Sequence, residues 1–140
     1  MKNKNDFSNL KALTVDDHAL ARRIVTNALE SLQVGIIDEA PDPLQGQTMI
    51  EQAQRIGKPY DLVFLDWSMP SLEGIDILRH FQDKPEHANT SFIMFTAASE
   101  KGEMLQAVRA GVIAFIPKPA SQETIIQKIK EVVALRENKK

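Results

Sequence analysis

Five short strand-like runs alternate with five stretches of helical spacing along this chain, and that order leaves few architectures open. The strand-like runs are Leu10–Val15, Ile36–Glu39, Leu62–Leu65, Phe92–Phe95 and Ala114–Ile116. After the first, Leu20, Ile24, Val25, Ala28, Leu29 and Leu32 form an i, i+4, i+5, i+8 stripe, the spacing of an amphipathic helix. A second helix opens at Asp42, with Pro43 at its first position and Gln45 as a capping partner. Met49, Ile50, Ala53 and Ile56 are its apolar residues, and Gly57 with Pro59 stops it. A third helix is expected over Ile75–Phe81. A fourth covers Glu100–Ala110, capped by Ser99 and ended by Gly111. The fifth starts at Ser121 and carries Ile125, Ile129, Val132 and Val133 on one face. Five βα pairs in this order predict an α/β fold, a doubly wound parallel sheet with helices on both faces. The third run, Leu62-Val63-Phe64-Leu65, is apolar throughout, as a strand buried on both faces must be.

The 140 residues suit one domain, with a polar N-terminal tail over 1–9, the folded unit over 10–136 and a short tail over 137–140. The basic stretch Arg136–Lys140 is explained by a frayed, solvated helix end. There is no cysteine, which removes disulfides, thiolate metal sites and cysteine nucleophiles together and fits a cytoplasmic protein. No apolar run approaches the ~20 residues that span a bilayer. A net charge of −2 points to neither nucleic acid nor a membrane surface.

In an open parallel sheet, ligands bind outside the carboxyl ends of the strands. The first strand ends in Asp16-Asp17, the third in Asp66, the fourth in Thr96 and the fifth in Lys118-Pro119. Each has a plain structural reading alone: a helix cap, a turn residue, a local hydroxyl, a solvated lysine. Together they place three carboxylates, a hydroxyl and an ammonium at one end of one sheet. Three adjacent carboxylates repel unless a cation shares their site. With no Cys and no His at these strand ends, the donors are expected to be all hard oxygens, which suits Mg2+. Mg2+ also cancels the charge that would keep an anionic phosphoryl group from Asp66. A carboxylate can then serve as the nucleophile, with Lys118 and Thr96 holding the phosphoryl oxygens.

The stretches Val15-Asp16-Asp17, Arg22-Arg23-Ile24-Val25, Leu65-Asp66-Trp67-Ser68-Met69-Pro70-Ser71-Leu72-Glu73-Gly74, Phe95-Thr96-Ala97-Ala98, Ala110-Gly111 and Phe115-Ile116-Pro117-Lys118-Pro119 carry a resemblance. Together they resemble the receiver domains of two-component response regulators, most of all the single-domain chemotaxis type, CheY. The likeness runs from about Lys11 to Leu135. It implies a flavodoxin-like sheet of order 2-1-3-4-5. By the same resemblance Asp66 is the phosphoacceptor, Asp17 a direct Mg2+ ligand, and Asp16 a ligand acting largely through water. Ser68 would offer its backbone carbonyl to the metal. Thr96 would bind a phosphoryl oxygen, Lys118 would pair with the phosphate, and Phe115 would be the switch aromatic. The Lys118–Pro119 peptide is expected to be cis. The implied partners are a sensor histidine kinase or histidine phosphotransfer protein, docking near the first helix. An output protein or effector domain would dock on the face of fourth helix, fifth strand and fifth helix. The chain would be a monomer or a phosphorylation-dependent dimer, a signalling domain that assists only its own phosphorylation and dephosphorylation.

Three features depart from the family pattern, one being Pro117 before Lys118, tolerable at the end of a short edge strand. Ala40-Pro41-Asp42-Pro43-Leu44-Gln45-Gly46 replaces the usual Asp-Gly after the second strand, and Ala98 is small where many relatives carry a longer side chain. Two other functions compete. A haloacid-dehalogenase-type hydrolase with an aspartyl-phosphate intermediate wants a second acid two residues after the nucleophile, and Ser68 stands there. A receiver-like interaction module that takes no phosphate would not need the full set of residues present. Nucleotide binding lacks both G-x-x-x-x-G-K-[ST] and G-x-G-x-x-G.

Overall fold

The computed structural model describes residues 6–66, 74–81, 84–87, 89–97 and 101–138. The Trp67–Glu73 motif with Ser68, and Ala98 and the expected cap Ser99, lie outside these residues. The strands are β1 (Lys11–Val15), β2 (Ile36–Ala40), β3 (Leu62–Leu65), β4 (Ser91–Thr96) and β5 (Ala114–Pro117). The helices are α1 (Ala19–Ser31), α2 (Pro43–Arg55), α3 (Gly74–Phe81), α4 (Lys101–Arg109) and α5 (Gln122–Asn138). All pairings are parallel and the sheet order is β2-β1-β3-β4-β5, as the resemblance implied.

Alternation along the strands divides the core in two. Leu13 and Val15, Val63 and Leu65, and Phe92 and Met94 point to one face, where Ile50 and Ala53 of α2, Ile77, Leu78 and Phe81 of α3, and Ala107 of α4 cover them. Ala12, Leu62, Phe64, Ile93 and Phe95 point to the other, under Val25, Ala28 and Leu29 of α1 and Ile125, Ile129 and Val132 of α5. The strand period of two thus serves both helical layers at once.

The loop after β2, where the family pattern breaks, folds as its residues direct. Asp42 caps α2 by accepting the Gln45 backbone N–H at 2.8 Å, and Pro43 occupies the first turn. Gly57 ends the segment at φ +77°, a left-handed conformation open to glycine. Two stripe residues do not face the core. Leu20 is 80% exposed because it sits in the first turn of α1, and Ala21 takes the buried position. Ile56, 68% exposed, follows the last helical residue of α2, where the chain is already turning away.

Phe7 and Arg136 are more tightly held than composition implied. Phe7, inside the expected polar tail, is buried in the α1/α5 layer. Arg136 is not a solvated helix end. Its guanidinium donates to the Asp61 carboxylate at 2.8 Å, the Asp61 carbonyl at 3.0 Å, the Ser91 hydroxyl at 3.0 Å and the Asn89 carbonyl. It thereby fastens α5 to the starts of β3 and β4. Nearby, the Tyr60 hydroxyl donates to Asp38 Oδ2 at 2.7 Å, and burial together with that carboxylate pushes its pKa above the ordinary phenol range.

Gly46 links this scaffold to the strand ends. A glycine inside a helix costs ~1 kcal/mol relative to alanine, so an alanine would be favoured on propensity alone. A Cβ at Gly46, however, would stand 2.7 and 2.8 Å from the two Cγ atoms of Val15. Val15 is β-branched, so stiff at χ1, and buried in the core. Gly46→Ala is therefore expected to destabilise the protein by about 1–3 kcal/mol, read from urea denaturation. A midpoint equal to or above that of the unmodified chain would show that Val15 yields freely.

Candidate functional site

The parallel register sets Val15 beside Leu65, so Asp16 and Asp66 leave adjacent strands at the same level. Strand order reverses between β1 and β3, the switch point at which open α/β sheets bind ligands. The ladder continues one step further: the Asp16 N–H donates to the Ala40 carbonyl at 3.1 Å and the Asp66 N–H to the Val15 carbonyl at 3.2 Å. Both residues are buried, at 2% and 4% exposure, while Asp17 faces solvent. Arg22 steadies the turn from α1, donating to the Asp16 carbonyl at 2.6 Å and pairing with Glu39 at 3.0 Å.

The other wall comes from β4 and β5. Thr96, buried at the end of β4, accepts the Lys118 backbone N–H on its carbonyl at 2.9 Å. The Lys118–Pro119 peptide is cis, as expected from the sequence. The Lys118 ammonium lies 2.7 Å from Asp16 Oδ2 and 3.2 Å from Asp66 Oδ2, and 5.3 Å from the centre of the Phe95 ring. One cation thus neutralises part of two buried carboxylates, a pairing that only full hydrogen bonding makes tolerable. Phe115 is half-buried against the layer of α2, α3 and α4. Its register partner is Met94, two residues before Thr96, so Thr96 and Phe115 belong to the same face of the sheet.

The structure adds a donor that sequence reading missed. His18 immediately follows the acidic pair, and its Nδ1 lies 3.2 Å from Asp16 Oδ1, 3.0 Å from Asp17 Oδ1 and 3.9 Å from Asp66 Oδ2. The donor set at these strand ends is therefore not purely oxygen. The signal was the position itself. The chain turns there into α1, and the His18 N–H donates to Asp16 Oδ1 at 2.9 Å, which brings the residue back toward that carboxylate.

Asp16, Asp17, His18 and Asp66 each place one donor atom within 4.8 Å of the others. Three carboxylates against the single Lys118 ammonium leave two negative charges, which one divalent cation would cancel. Donor count, charge and burial all fit such an ion. Ser68 lies outside the described residues, so the expected carbonyl ligand is not placed.

Residues 12–130 match the model of the response regulator receiver domain family. The chemotaxis protein CheY-3 of Vibrio cholerae serotype O1 is 33% identical over 124 residues, covering 89% of this chain and 92% of that protein. CheY of Pseudomonas aeruginosa is 29% identical, covering 88% and 95%. Among solved structures, a CheY-like receiver domain protein from Methanospirillum hungatei superimposes with a TM-score of 0.80 at 24% identity, covering 94% of this chain and 99% of that one. A protein described as a two-component response regulator with a GGDEF domain gives a TM-score of 0.82 at 19% identity. That match covers 94% of this chain, which spans about half (51%) of the larger protein. Among the described residues no helix is long and apolar enough to cross a membrane. With five parallel strands in the order 2-1-3-4-5 and a match over residues 12–130, the chain belongs to the CheY-like response regulator receiver domains of two-component signalling.

Proposed function

We propose that Asp66 accepts a phosphoryl group in a Mg2+-dependent reaction and that the modified carboxylate switches the face formed by α4, β5 and α5. The observation that carries this reading is the buried Asp66 carboxylate at the end of β3, with Lys118 Nζ 3.2 Å away and Asp16 on the same ammonium. One Asp66 oxygen attacks the donor phosphorus. A new P–O bond forms as the bond from phosphorus to the donor breaks, and its electron pair leaves with the donor. For a phosphohistidine on a kinase or phosphotransfer protein, that pair stays on the imidazole nitrogen. A divalent ion held by Asp16, Asp17, Asp66 and the Ser68 carbonyl would offset negative charge on the phosphoryl oxygens. Lys118 shifts from its two carboxylates toward the incoming oxygens, and the Thr96 hydroxyl binds another.

The signal follows from where Thr96 stands. Drawing its hydroxyl toward phosphorylated Asp66 moves the end of β4, and Phe115, on the same face, takes up the space released. The two arrangements already exchange in the free protein, and phosphorylation stabilises one of them. Met104, Leu105 and Val108 expose an apolar strip on α4, which gives an output partner something to bury. The expected result is that beryllofluoride plus Mg2+, a phosphate mimic, shifts amide resonances from Asp66 through Phe115 and along α4. In Thr96→Ala the shifts should stay near Asp66, and shifts equally confined in the unmodified protein would rule out this switch.

A further inference from the structure

We propose that the His18 imidazole is a ligand of the divalent cation and biases this site toward nitrogen-accepting ions such as Co2+ over Mg2+. The inference rests on the metal-dependent reading above. An octahedral ion at ~2.1 Å from its donors sets neighbouring donors about 3.0 Å apart. His18 Nδ1 already stands 3.2 Å from Asp16 Oδ1 and 3.0 Å from Asp17 Oδ1, the spacing such an ion would impose. Its 3.9 Å from Asp66 Oδ2 keeps it on the same side as the phosphoacceptor. Nδ1 is the ring atom turned toward the carboxylates, and in the tautomer with the hydrogen on Nε2 it would present its lone pair to an ion seated among them.

A capping role does not account for this placement. His18 is the N-cap residue of α1, yet its side chain makes no cap hydrogen bond. Nor is it held by the core, since the side chain is 66% exposed. The polar contacts of its ring run to the Asp16 and Asp17 carboxylates, the groups that would share an ion with it. Carboxylates, carbonyls and water suit Mg2+, whereas imidazole favours the later divalent metals. A single imidazole nitrogen therefore strengthens the preference for Co2+ beyond what an oxygen-only site would show.

The test replaces the nitrogen without disturbing the turn. His18→Asn puts an oxygen at the reach of Nδ1, and His18→Ala removes the donor; both retain the backbone N–H that bonds Asp16. Calorimetric titrations of the full chain with Co2+ and with Mg2+ give the ratio of affinities. In both variants the preference for Co2+ should fall about tenfold or more, while His18→Asn keeps its affinity for Mg2+. The Co2+-loaded unmodified protein should show a paramagnetically shifted, exchangeable imidazole N–H proton that both variants lose. If both ions bind, the ratio stays unchanged in the variants and no such proton is seen, the inference is wrong while the metal-dependent reading survives. If neither ion binds the unmodified chain, both are wrong.

Discussion

Asp66→Asn is expected to take up no phosphoryl group under conditions in which the unmodified protein is modified to completion. An amide oxygen is a poor nucleophile and a weaker metal ligand than a carboxylate, so both halves of the chemistry fail together. The fold should survive, because the substitution keeps shape and leaves the Asp66 N–H bonded to Val15. It also removes one of three crowded negative charges. Intact-mass measurement after incubation with a small acyl phosphate and Mg2+ reads the outcome. Uptake at the original rate would move the nucleophile to another residue, with Asp16 and Asp17 the nearest candidates.

Lys118→Met should produce the largest change in stability. The ammonium joins two nearly buried carboxylates, at 2.7 and 3.2 Å, while its own side chain keeps 17% exposure. Removing one partner of a buried ion pair leaves uncompensated charge and costs about 3–5 kcal/mol. The residual exposure places this site near the lower end, about 3 kcal/mol in a chelating buffer. A divalent cation held by the same carboxylates should restore much of that loss, because it substitutes for the missing charge. Urea denaturation with and without Mg2+ measures both quantities. A variant as stable as the original in chelator, or one that Mg2+ leaves unchanged, would contradict the charge balance derived above.

Much of this arrangement is legible in the sequence. Leu62–Leu65 is buried on both faces, as its unbroken apolar run required, and Asp42-Pro43 opened a helix just where capping chemistry placed it. The strand ends were legible because the carboxyl edge of a parallel sheet is defined by chain direction alone. What stayed hidden depends on neighbours. Leu20 and Ile56 fit a helical stripe, but periodicity does not say where the covering layer ends. Arg136 looked like part of a basic tail because its partners, Asp61, Asn89 and Ser91, lie 45 to 75 residues away. His18 escaped notice because it belongs to neither the strand-end carboxylates nor the helical stripe, and only the turn folds its ring back over the acids.

The central claim is that this site phosphorylates itself on one carboxylate when a divalent cation is present. The most direct measurement is the intact mass of the unmodified protein after exposure to a small acyl phosphate, with Mg2+ and with chelator, followed by mapping of the adduct. The account predicts the mass of a single added phosphoryl group with Mg2+, located on Asp66, and almost none with chelator. No adduct in either condition, or an adduct on another residue that forms equally well without the cation, would contradict it.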